Sequence, residues 1–317
     1  MLPKIGITLG DAAGIGPEII LKALSEPAIR KLCSPLIIGD KLILEHTARS
    51  LNLPFQDELL DLNQFSTLPE LGKISPNCGK AALAYVEKAV TLCLSQQIAA
   101  MVTAPIHKEA IHLAGSPYAG HTEMIAKLTN AKEYAMMLVG GGLRVILVTI
   151  HIGLATVSAA LTSEKIFRTI RLAYRATQEL GISNPKIAVA GFNPHSGEQG
   201  LFGDEEQTKI EPAIQQAKQE YIPVEGPYPP DTVFHRAING DFDIVVVMYH
   251  DQGLIPLKTV AFYSGVNVTI GLPIVRTSVD HGTAYDIAGK GIANPESLIE
   301  AIKLAIQLAN NRFKNQP

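Results

Sequence analysis

The chain has 317 residues, a net charge of −3 and 18% charged residues. That length allows one large α/β unit or two lobes with a core that needs no disulfides. No basic stripe is present to neutralise phosphates, so we expect no nucleic-acid partner. Tryptophan is absent and only 6% of residues are aromatic, which disfavours a stacking platform for single strands or sugars. The ligand is therefore expected to be small and polar.

The cysteines and the apolar runs indicate the compartment. Cys33, Cys78 and Cys93 fit no zinc-binding or CxxC spacing and are typical of reduced thiols in a cytosolic protein. No apolar run is long enough to span a bilayer, and the start of the chain passes into a strand without the apolar region of a signal peptide. The sequence therefore predicts a cytoplasmic protein without membrane contact.

Short β-branched runs alternate with helix-period segments, the pattern of a largely parallel sheet covered by helices. The predicted strands are residues 4–9, 35–38, 99–102, 144–150, 186–190 and 243–248. The predicted helices are residues 17–25, 79–96, 163–180, 204–220 and 295–310. Pro17 suits a first helical turn, and Ser163 before Glu164 suits an N-cap.

Residues 134–150 interrupt this alternation. Two apolar runs are joined there by Gly140, Gly141 and Gly142, which predicts an antiparallel hairpin. We expect such an element at a sheet edge or a subunit contact.

Residues 10–18, GDAAGIGPE, follow the first predicted strand and open the first helix. Their glycines permit a tight backbone and a close ligand approach, and the helix N-terminus favours an anion or polar ligand. The spacing differs from GxGxxG and from the Walker A loop, which excludes a simple Rossmann or P-loop assignment. A strand-to-helix turn without a ligand is an equally good interpretation of this motif alone.

Three histidines stand where predicted strands end: His151, His195 and His250. Ligands of open α/β sheets collect outside the carboxyl ends of strands, so the three imidazoles are expected to converge. Three histidines with open positions suit a catalytic divalent ion, commonly zinc. Singly, each would more often be a hydrogen-bonded structural residue. Their shared topological position makes the metal site the better hypothesis.

A further group of side chains suits a phosphate or carboxylate. His121 and Thr122 start a predicted helix, where free backbone N–H groups can meet an anion. Lys258, Asn267 and Arg276 follow in the strand-rich region after His250, and they offer an ammonium, an amide and a guanidinium. Taken separately, the two cations are more typical of the surface.

Residues 280–295, DHGTAYDIAGKGIANP, are rich in small and turn residues, and their composition alone indicates a loop. The loop nevertheless offers backbone groups, His281 and Asp286 to a nucleotide.

Taken together, these motifs resemble the 4-hydroxythreonine-4-phosphate dehydrogenase family of vitamin B6 biosynthesis, from end to end. The residues that carry the resemblance are segments 10–18 (GDAAGIGPE), 120–123 (GHTE), 193–195 (NPH), 249–253 (YHDQG) and 276–284 (RTSVDHGTA). The resemblance implies an NAD-linked oxidation with a divalent metal (Zn, Mg, Mn or Co) on His151, His195 and His250. It also implies substrate contacts from His121, Thr122, Lys258, Asn267 and Arg276.

Residues 281–295 are also similar to the adenosine-side NAD loop of isopropylmalate dehydrogenases. The cofactor contacts expected from this likeness are His281, Gly282, Thr283, Ala284 and Asp286, with NAD and possibly NADP as the cofactor. The likeness implies a two-lobed, three-layer α/β/α fold with a mixed, mostly parallel sheet and an interlobe cleft, in a homodimer whose active site lies at the subunit interface. We expect residues 1–122 with 265–317 to form the cofactor lobe, and 123–264 the metal, substrate and dimerisation lobe.

The family resemblance implies that the enzyme oxidises 4-phosphohydroxy-L-threonine to a 3-oxo acid, which decarboxylates to 3-amino-2-oxopropyl phosphate. Asp251 and Asp231 are the candidates for the general base. Ala12 stands where most members of the family are expected to have proline, which favours a sister branch acting on 4-phospho-D-erythronate or threonate as the alternative. A metal-dependent hydrolase and a non-catalytic nucleotide-binding module are weaker hypotheses, distinguishable by NAD reduction and by sensitivity to a chelator.

Overall fold

The computed structural model describes residues 2–314. The chain divides into two compact units. Unit 1 comprises Met1–Lys132 and Leu272–Pro317, and unit 2 comprises Glu133–Gly271. The boundaries predicted from the sequence, after residues 122 and 264, fall somewhat earlier along the chain than those of the two units.

Strands and helices alternate along most of the chain. The strands are β1 (Lys4–Thr8), β2 (Ser34–Gly39), β3 (Glu58–Asp61), β4 (Ala100–Thr103), β5 (Ala135–Gly140), β6 (Leu143–Leu147), β7 (Ile187–Ala190), β8 (Val224–Tyr228), β9 (Ile244–Val247), β10 (Val266–Ile270) and β11 (Arg276–Val279). The helices are α1 (Gly16–Ser25), α2 (Pro27–Leu32), α3 (Lys41–Leu51), α4 (Pro76–Leu94), α5 (Lys108–Leu113), α6 (His121–Leu128), α7 (Leu154–Ala160), α8 (Ser163–Glu179), α9 (Glu211–Gln219), α10 (Val233–Ile238), α11 (His250–Ala261) and α12 (Glu296–Lys314).

In unit 1 the strand order is β3-β2-β1-β4-β11, and every paired neighbour is parallel. The strands β1, β4 and β11 are almost entirely buried, because helices such as α4 and α12 pack on them. Continuous apolar runs such as that containing Ile5 and Ile7 are typical of strands covered on both faces. The carboxyl ends of β1, β4 and β11 therefore lie side by side.

Unit 2 has the strand order β10-β5-β6-β9-β7-β8. Strand β5 runs antiparallel to both β10 and β6, whereas β6, β9, β7 and β8 are mutually parallel. The hairpin predicted from the glycine run is confirmed, and Gly141 and Gly142 turn it with φ of 57° and 80°. Its strands do not lie at a sheet edge, since β10 and β9 pair on either side of them. Positive φ at both positions matches the twist of the flanking strands. The fold class is thus α/β with mixed, mostly parallel strands, as predicted.

Some local expectations were wrong, for identifiable reasons. The N-cap of α8 is Thr162, whose side chain accepts from the Lys165 amide; Ser163 is the first helical residue. The helix predicted over 204–220 consists of a π-helical turn, Glu206–Ile210, followed by α9. Pro212 explains the break, because it has no N–H for the helical ladder.

Across residues 2–314, helices that are both long and apolar enough to cross a bilayer are absent.

Candidate functional site

The three histidines singled out from the sequence lie at one edge of unit 2, here named the histidine edge. His151 follows β6, His250 follows β9 and His195 follows β7. The strands β6, β9 and β7 are parallel neighbours in that order, so their carboxyl ends share an edge. The three histidines therefore follow strand ends at one edge of the sheet, as the sequence predicts.

Their side chains are accessible, and only two of the three lie close together. The rings of His151 and His250 lie with centroids 5.6 Å apart, while His195 is exposed on a separate turn. As arranged in residues 2–314, no three histidine, cysteine or acidic side chains are grouped tightly enough to hold a metal ion. The donor set itself fits a divalent ion, because accessible imidazoles are common metal ligands.

Beneath the rings, buried hydrogen bonds tie the three histidine-bearing segments together. The Thr149 hydroxyl donates to the Met248 carbonyl at 2.7 Å, which joins the end of β6 to the end of β9. The Gln252 amide accepts from the Met248 N–H and donates to the Gly191 carbonyl, each at 2.6 Å. Both Thr149 and Gln252 are 6% exposed. Sequence reasoning missed these residues, although each lies two positions from a predicted ligand.

The two base candidates occupy different settings. Asp251 Oδ1 lies 2.7 Å from Nδ1 of His250, and its side chain is largely exposed. Asp231 is exposed and follows β8, which is parallel to β7. Both carboxylates thus belong to the same strand-end region of unit 2.

In unit 1, Arg276, His121 and Thr122 form what we name the anion cluster. Arg276 is only 2% exposed, contrary to the surface setting typical of arginine, and its Nη2 donates to the Thr103 hydroxyl at 2.8 Å. Burial lowers the pKa of Arg276 to about 10, which the charge of Glu123 partly opposes. A buried guanidinium offers planar, charge-assisted donors, a chemistry suited to a dianion.

The His121 imidazole is held neutral. Its pKa lies well below the usual range because of burial first and the Arg276 charge second. Its Nε2 is buried and has no hydrogen-bond partner within residues 2–314. Thr122, next along α6, is 6% exposed. The start of this helix therefore offers polar groups that an anion could satisfy.

Lys258 and Asn267, the other two predicted substrate contacts, lie in unit 2. Lys258 is a half-buried residue of α11 whose Nζ lies 5.9 Å from the Phe262 ring centre. Asn267 lies on β10, and its Oδ1 is a buried acceptor with no donor in the part of the chain that the structure describes.

The predicted cofactor loop follows β11 in unit 1, and residues 10–18 hold it. Tyr285 donates to the buried carboxylate of Asp11 at 2.8 Å, and the Ile15 amide donates to the Thr283 carbonyl at 3.0 Å. Burial is the main reason that the pKa of Asp11 is raised. Tyr285 also stacks on His107, with ring centroids 4.9 Å apart. Asp11, His107 and Tyr285 meet because β1, β4 and β11 are neighbours.

Glu18 secures the far end of the same loop. This carboxylate is 2% exposed and accepts from the Ala293 amide at 2.8 Å and from Lys22 at 2.7 Å. Lys22 in turn donates to the carbonyls of Gly291 and Ala293. The Asp and Glu of GDAAGIGPE are therefore loop-holding residues, a role that the sequence motif alone did not reveal.

The individual cofactor candidates differ in accessibility. His281 Nδ1 lies 2.9 Å from the Gly282 carbonyl, Thr283 is buried and Asp286 is exposed. Ala284 adopts a left-handed conformation with φ of 44°. Nearby in unit 1 is a cavity of about 110 Å³, lined in part by Ala12, Gly14, Glu18, His46, Leu71 and Gly289.

Imidazoles at the strand ends of unit 2 and a buried cation in unit 1 are the kinds of groups with which α/β enzymes bind small anionic ligands. The family described as pyridoxal phosphate biosynthetic protein PdxA matches residues 31–305, and the chain belongs to this family.

Relatives with two names are equally similar to the chain. A 4-hydroxythreonine-4-phosphate dehydrogenase of Desulforapulum autotrophicum is 48% identical, covering 96% of this chain and 94% of the relative. A D-threonate 4-phosphate dehydrogenase of Cupriavidus necator is also 48% identical, covering 98% of each. The crystal structure of a 4-hydroxythreonine-4-phosphate dehydrogenase from Klebsiella pneumoniae superposes with a TM-score of 0.89 at 41% identity, covering 98% of each chain.

An isocitrate dehydrogenase from Methylococcus capsulatus shares the fold, with a TM-score of 0.51 at 15% identity over 98% of this chain and 88% of the other. The fold class expected from the resemblance is confirmed. The chain is a dehydrogenase, an oxidoreductase acting on a CH–OH group.

Proposed function

We propose that the chain catalyses the NAD-dependent, divalent-metal-dependent oxidation of 4-phosphohydroxy-L-threonine. The 3-oxo acid formed decarboxylates to 3-amino-2-oxopropyl phosphate, a precursor in pyridoxal 5'-phosphate biosynthesis. The observation that carries the proposal is the histidine edge, where His151, His250 and His195 follow three adjacent parallel strands in a chain of the dehydrogenase family.

His151, His195 and His250 would hold the ion. Asp251 fits the role of orienting His250, because a carboxylate at Nδ1 leaves Nε2 to the metal. Imidazole ligands favour zinc or cobalt over magnesium. When bound, the ion would act as a Lewis acid toward the substrate oxygens and NAD would accept the hydride from C3.

Binding of the phosphate is assigned to Arg276, His121 and Thr122. The buried guanidinium supplies charge-assisted hydrogen bonds, and the neutral imidazole can donate without adding a second buried cation. Lys258 and Asn267 are further proposed substrate contacts, and the buried Asn267 Oδ1 suits a donor such as the substrate ammonium or a hydroxyl.

Proton removal from the C3 hydroxyl is assigned to Asp231. The contact of Asp251 with His250 gives that carboxylate another task, whereas Asp231 is exposed beyond the carboxyl end of β8. Cofactor binding is assigned to His281, Gly282, Thr283, Ala284 and Asp286. The hydrogen bonds that the loop donates to Asp11 and Glu18 support this assignment, since they preorganise the loop.

A homodimer with its active site at the subunit interface is also proposed. Three large apolar side chains of α11 and the residues after it are strongly exposed: Ile255 at 65%, Phe262 at 67% and Tyr263 at 62%. Such a concentration of exposed apolar surface is typical of an interface and supports a second copy of the chain as its partner.

Oxidation of 4-phospho-D-threonate, or of the related erythronate, is the second candidate. The equal identity to a relative named D-threonate 4-phosphate dehydrogenase favours it, as does Ala12, which stands where most members of the family are expected to have proline. The two substrates differ at C2, which carries an amino group in one and a hydroxyl in the other.

Initial rates of NAD reduction test both candidates. The enzyme is assayed with each phosphorylated acid in turn, with Zn²⁺ or Co²⁺ and then with chelator. We expect NADH formation with 4-phosphohydroxy-L-threonine and its loss on chelation. A higher kcat/KM for 4-phospho-D-threonate would establish the second candidate. Phosphate release without NADH would instead indicate the metal-dependent hydrolase, and chelator-insensitive NAD binding without turnover the nucleotide-binding module.

A further inference from the structure

The segment that carries His195 has an unusual backbone. His195, Ser196, Glu198 and Gln199 have φ of 52°, 54°, 43° and 57°, and Gly197 between them has φ of 77°. Five successive residues are thus left-handed, although L-residues other than glycine disfavour this region. Such a conformation persists only where the surroundings over-determine it.

Glu206 is the residue around which this turn is built. Its side chain is 2% exposed, and Oε1 accepts from the amides of Phe192 and Asn193, each at 2.7 Å. Oε2 accepts from the Asn193 side chain at 2.9 Å. A Cβ added at Gly197 would lie 2.7 Å from Oε2, so the turn wraps closely over the carboxylate. Glu206 belongs to the π-helical turn, a type of distortion frequent at functional sites.

The neighbouring Glu205 links the same turn to the segment after His151. It accepts from Asn193 Nδ2 at 2.7 Å and from the Ser158 hydroxyl at 2.6 Å. The Ser158 hydrogen bond is the main reason that the pKa of Glu205 lies below its usual range. Ser158 lies on α7, which begins three residues after His151.

We propose that Glu206 is a positioning residue that fixes the left-handed turn, and thereby His195, for metal binding. The inference rests on the proposed metal site. Glu206 acts through its hydrogen bonds with the Asn193 side chain and with the backbone of Phe192 and Asn193. A buried carboxylate is suited to this task, because one oxygen can accept two amides that the turn leaves without other partners.

The test combines amide hydrogen exchange of the metal-free protein with calorimetric titration of Zn²⁺ alone. In Glu206→Gln one acceptor oxygen becomes a donor facing Asn193. We expect faster exchange at residues 192–200 and a 10- to 100-fold weaker Zn²⁺ affinity, the range typical of residues that support metal ligands. Glu211→Gln is the matched control, since Glu211 is exposed at the start of α9, and it should change neither quantity.

Wild-type exchange at 192–200 in Glu206→Gln would overturn the proposal, and so would faster exchange with unchanged Zn²⁺ affinity. Asn193→Ala keeps the two backbone amides but removes the side-chain contacts of Asn193 with Glu206 and Glu205, and it serves if Glu206→Gln does not fold. His195→Ala separates this proposal from the proposed function. If Zn²⁺ affinity is undiminished in His195→Ala, the metal site itself is refuted. If Zn²⁺ affinity falls in His195→Ala but not in Glu206→Gln, only the role of Glu206 is refuted.

Discussion

The histidine edge of unit 2 and the anion cluster of unit 1 are built in opposite ways. His151 and His195 are exposed, and the buried polar contacts of this edge are hydrogen bonds that Thr149 and Gln252 donate to backbone carbonyls. In the anion cluster the functional groups themselves are buried, and the pKa values of Arg276 and His121 are lowered by that burial. We infer that substitution at the histidine edge costs function with little stability, whereas substitution in the anion cluster costs both.

The largest expected effect is that of His195→Ala. Loss of a metal ligand should lower turnover roughly 10³-fold and weaken Zn²⁺ binding, because a bound ion contributes several kcal/mol to the transition state. The melting temperature of the metal-free protein should stay within about 2 °C, since the side chain is exposed. Steady-state kinetics and metal-free thermal melts measure the two quantities. His235→Ala, at an exposed histidine of α10, is the control; equal losses in both variants would remove His195 from the site.

Arg276→Lys comes next, with an effect on both substrate binding and stability. The ammonium keeps the charge but loses the planar donors, so KM for the phosphorylated substrate should rise about 10- to 100-fold. The melting temperature should fall by several degrees, because Arg276 is buried against Thr103. KM is compared with that for the dephosphorylated analogue. An equal rise for both compounds would contradict the phosphate assignment.

A smaller effect is expected at the cofactor loop. Tyr285→Phe removes the hydrogen bond to Asp11 and should raise KM for NAD roughly tenfold, the worth of a hydrogen bond to a charged acceptor, with kcat little changed. Tyr221→Phe, at a tyrosine that is 93% exposed, is the matched control. If KM for NAD is unaffected by Tyr285→Phe, the loop is not held by this contact.

The smallest effect concerns pH. His121 stays neutral in the folded chain, while its unfolded pKa lies near 6.5, so the unfolded state binds more protons below that pH. Stability should therefore fall as pH drops from 7 to 5.5, by up to about 1 kcal/mol from this group. His121→Asn should flatten that part of the curve, and His112→Asn, at an exposed histidine, should not. Identical curves for wild type and His121→Asn would contradict the burial argument.

The sequence predicts those strands and helices whose hydrophobic pattern directly reflects their burial. The strands around β1, β4, β7 and β9 were predicted because continuous apolar runs record burial on both faces. Short or polar elements were missed, among them β3 and α10, because their hydrophobic pattern is too brief to show a period. The break before α9 has a local signal in Pro212, but the hydrogen bonds that Glu206 accepts from Phe192 and Asn193 have none, because local propensity does not encode tertiary contacts.

Prediction of the candidate site has the same limit. Histidines after strand ends were recognisable because topology makes parallel strand ends converge. The residues beneath them, Gln252 and Glu206, were not recognisable, because their hydrogen-bond partners are distant in sequence. The same holds for Asp11, whose contact with the predicted cofactor loop spans most of the chain. The burial of Arg276 was likewise unpredictable from its residue type, which is normally exposed.

The stoichiometry of the reaction tests the central claim most directly. Purified enzyme with Zn²⁺, NAD and 4-phosphohydroxy-L-threonine carrying labelled carbon at C1 is followed for NADH, labelled CO₂ and 3-amino-2-oxopropyl phosphate. The account predicts equal amounts of all three, and none of them after chelation or in His195→Ala. NADH without CO₂, or undiminished turnover in the chelated enzyme, would contradict it.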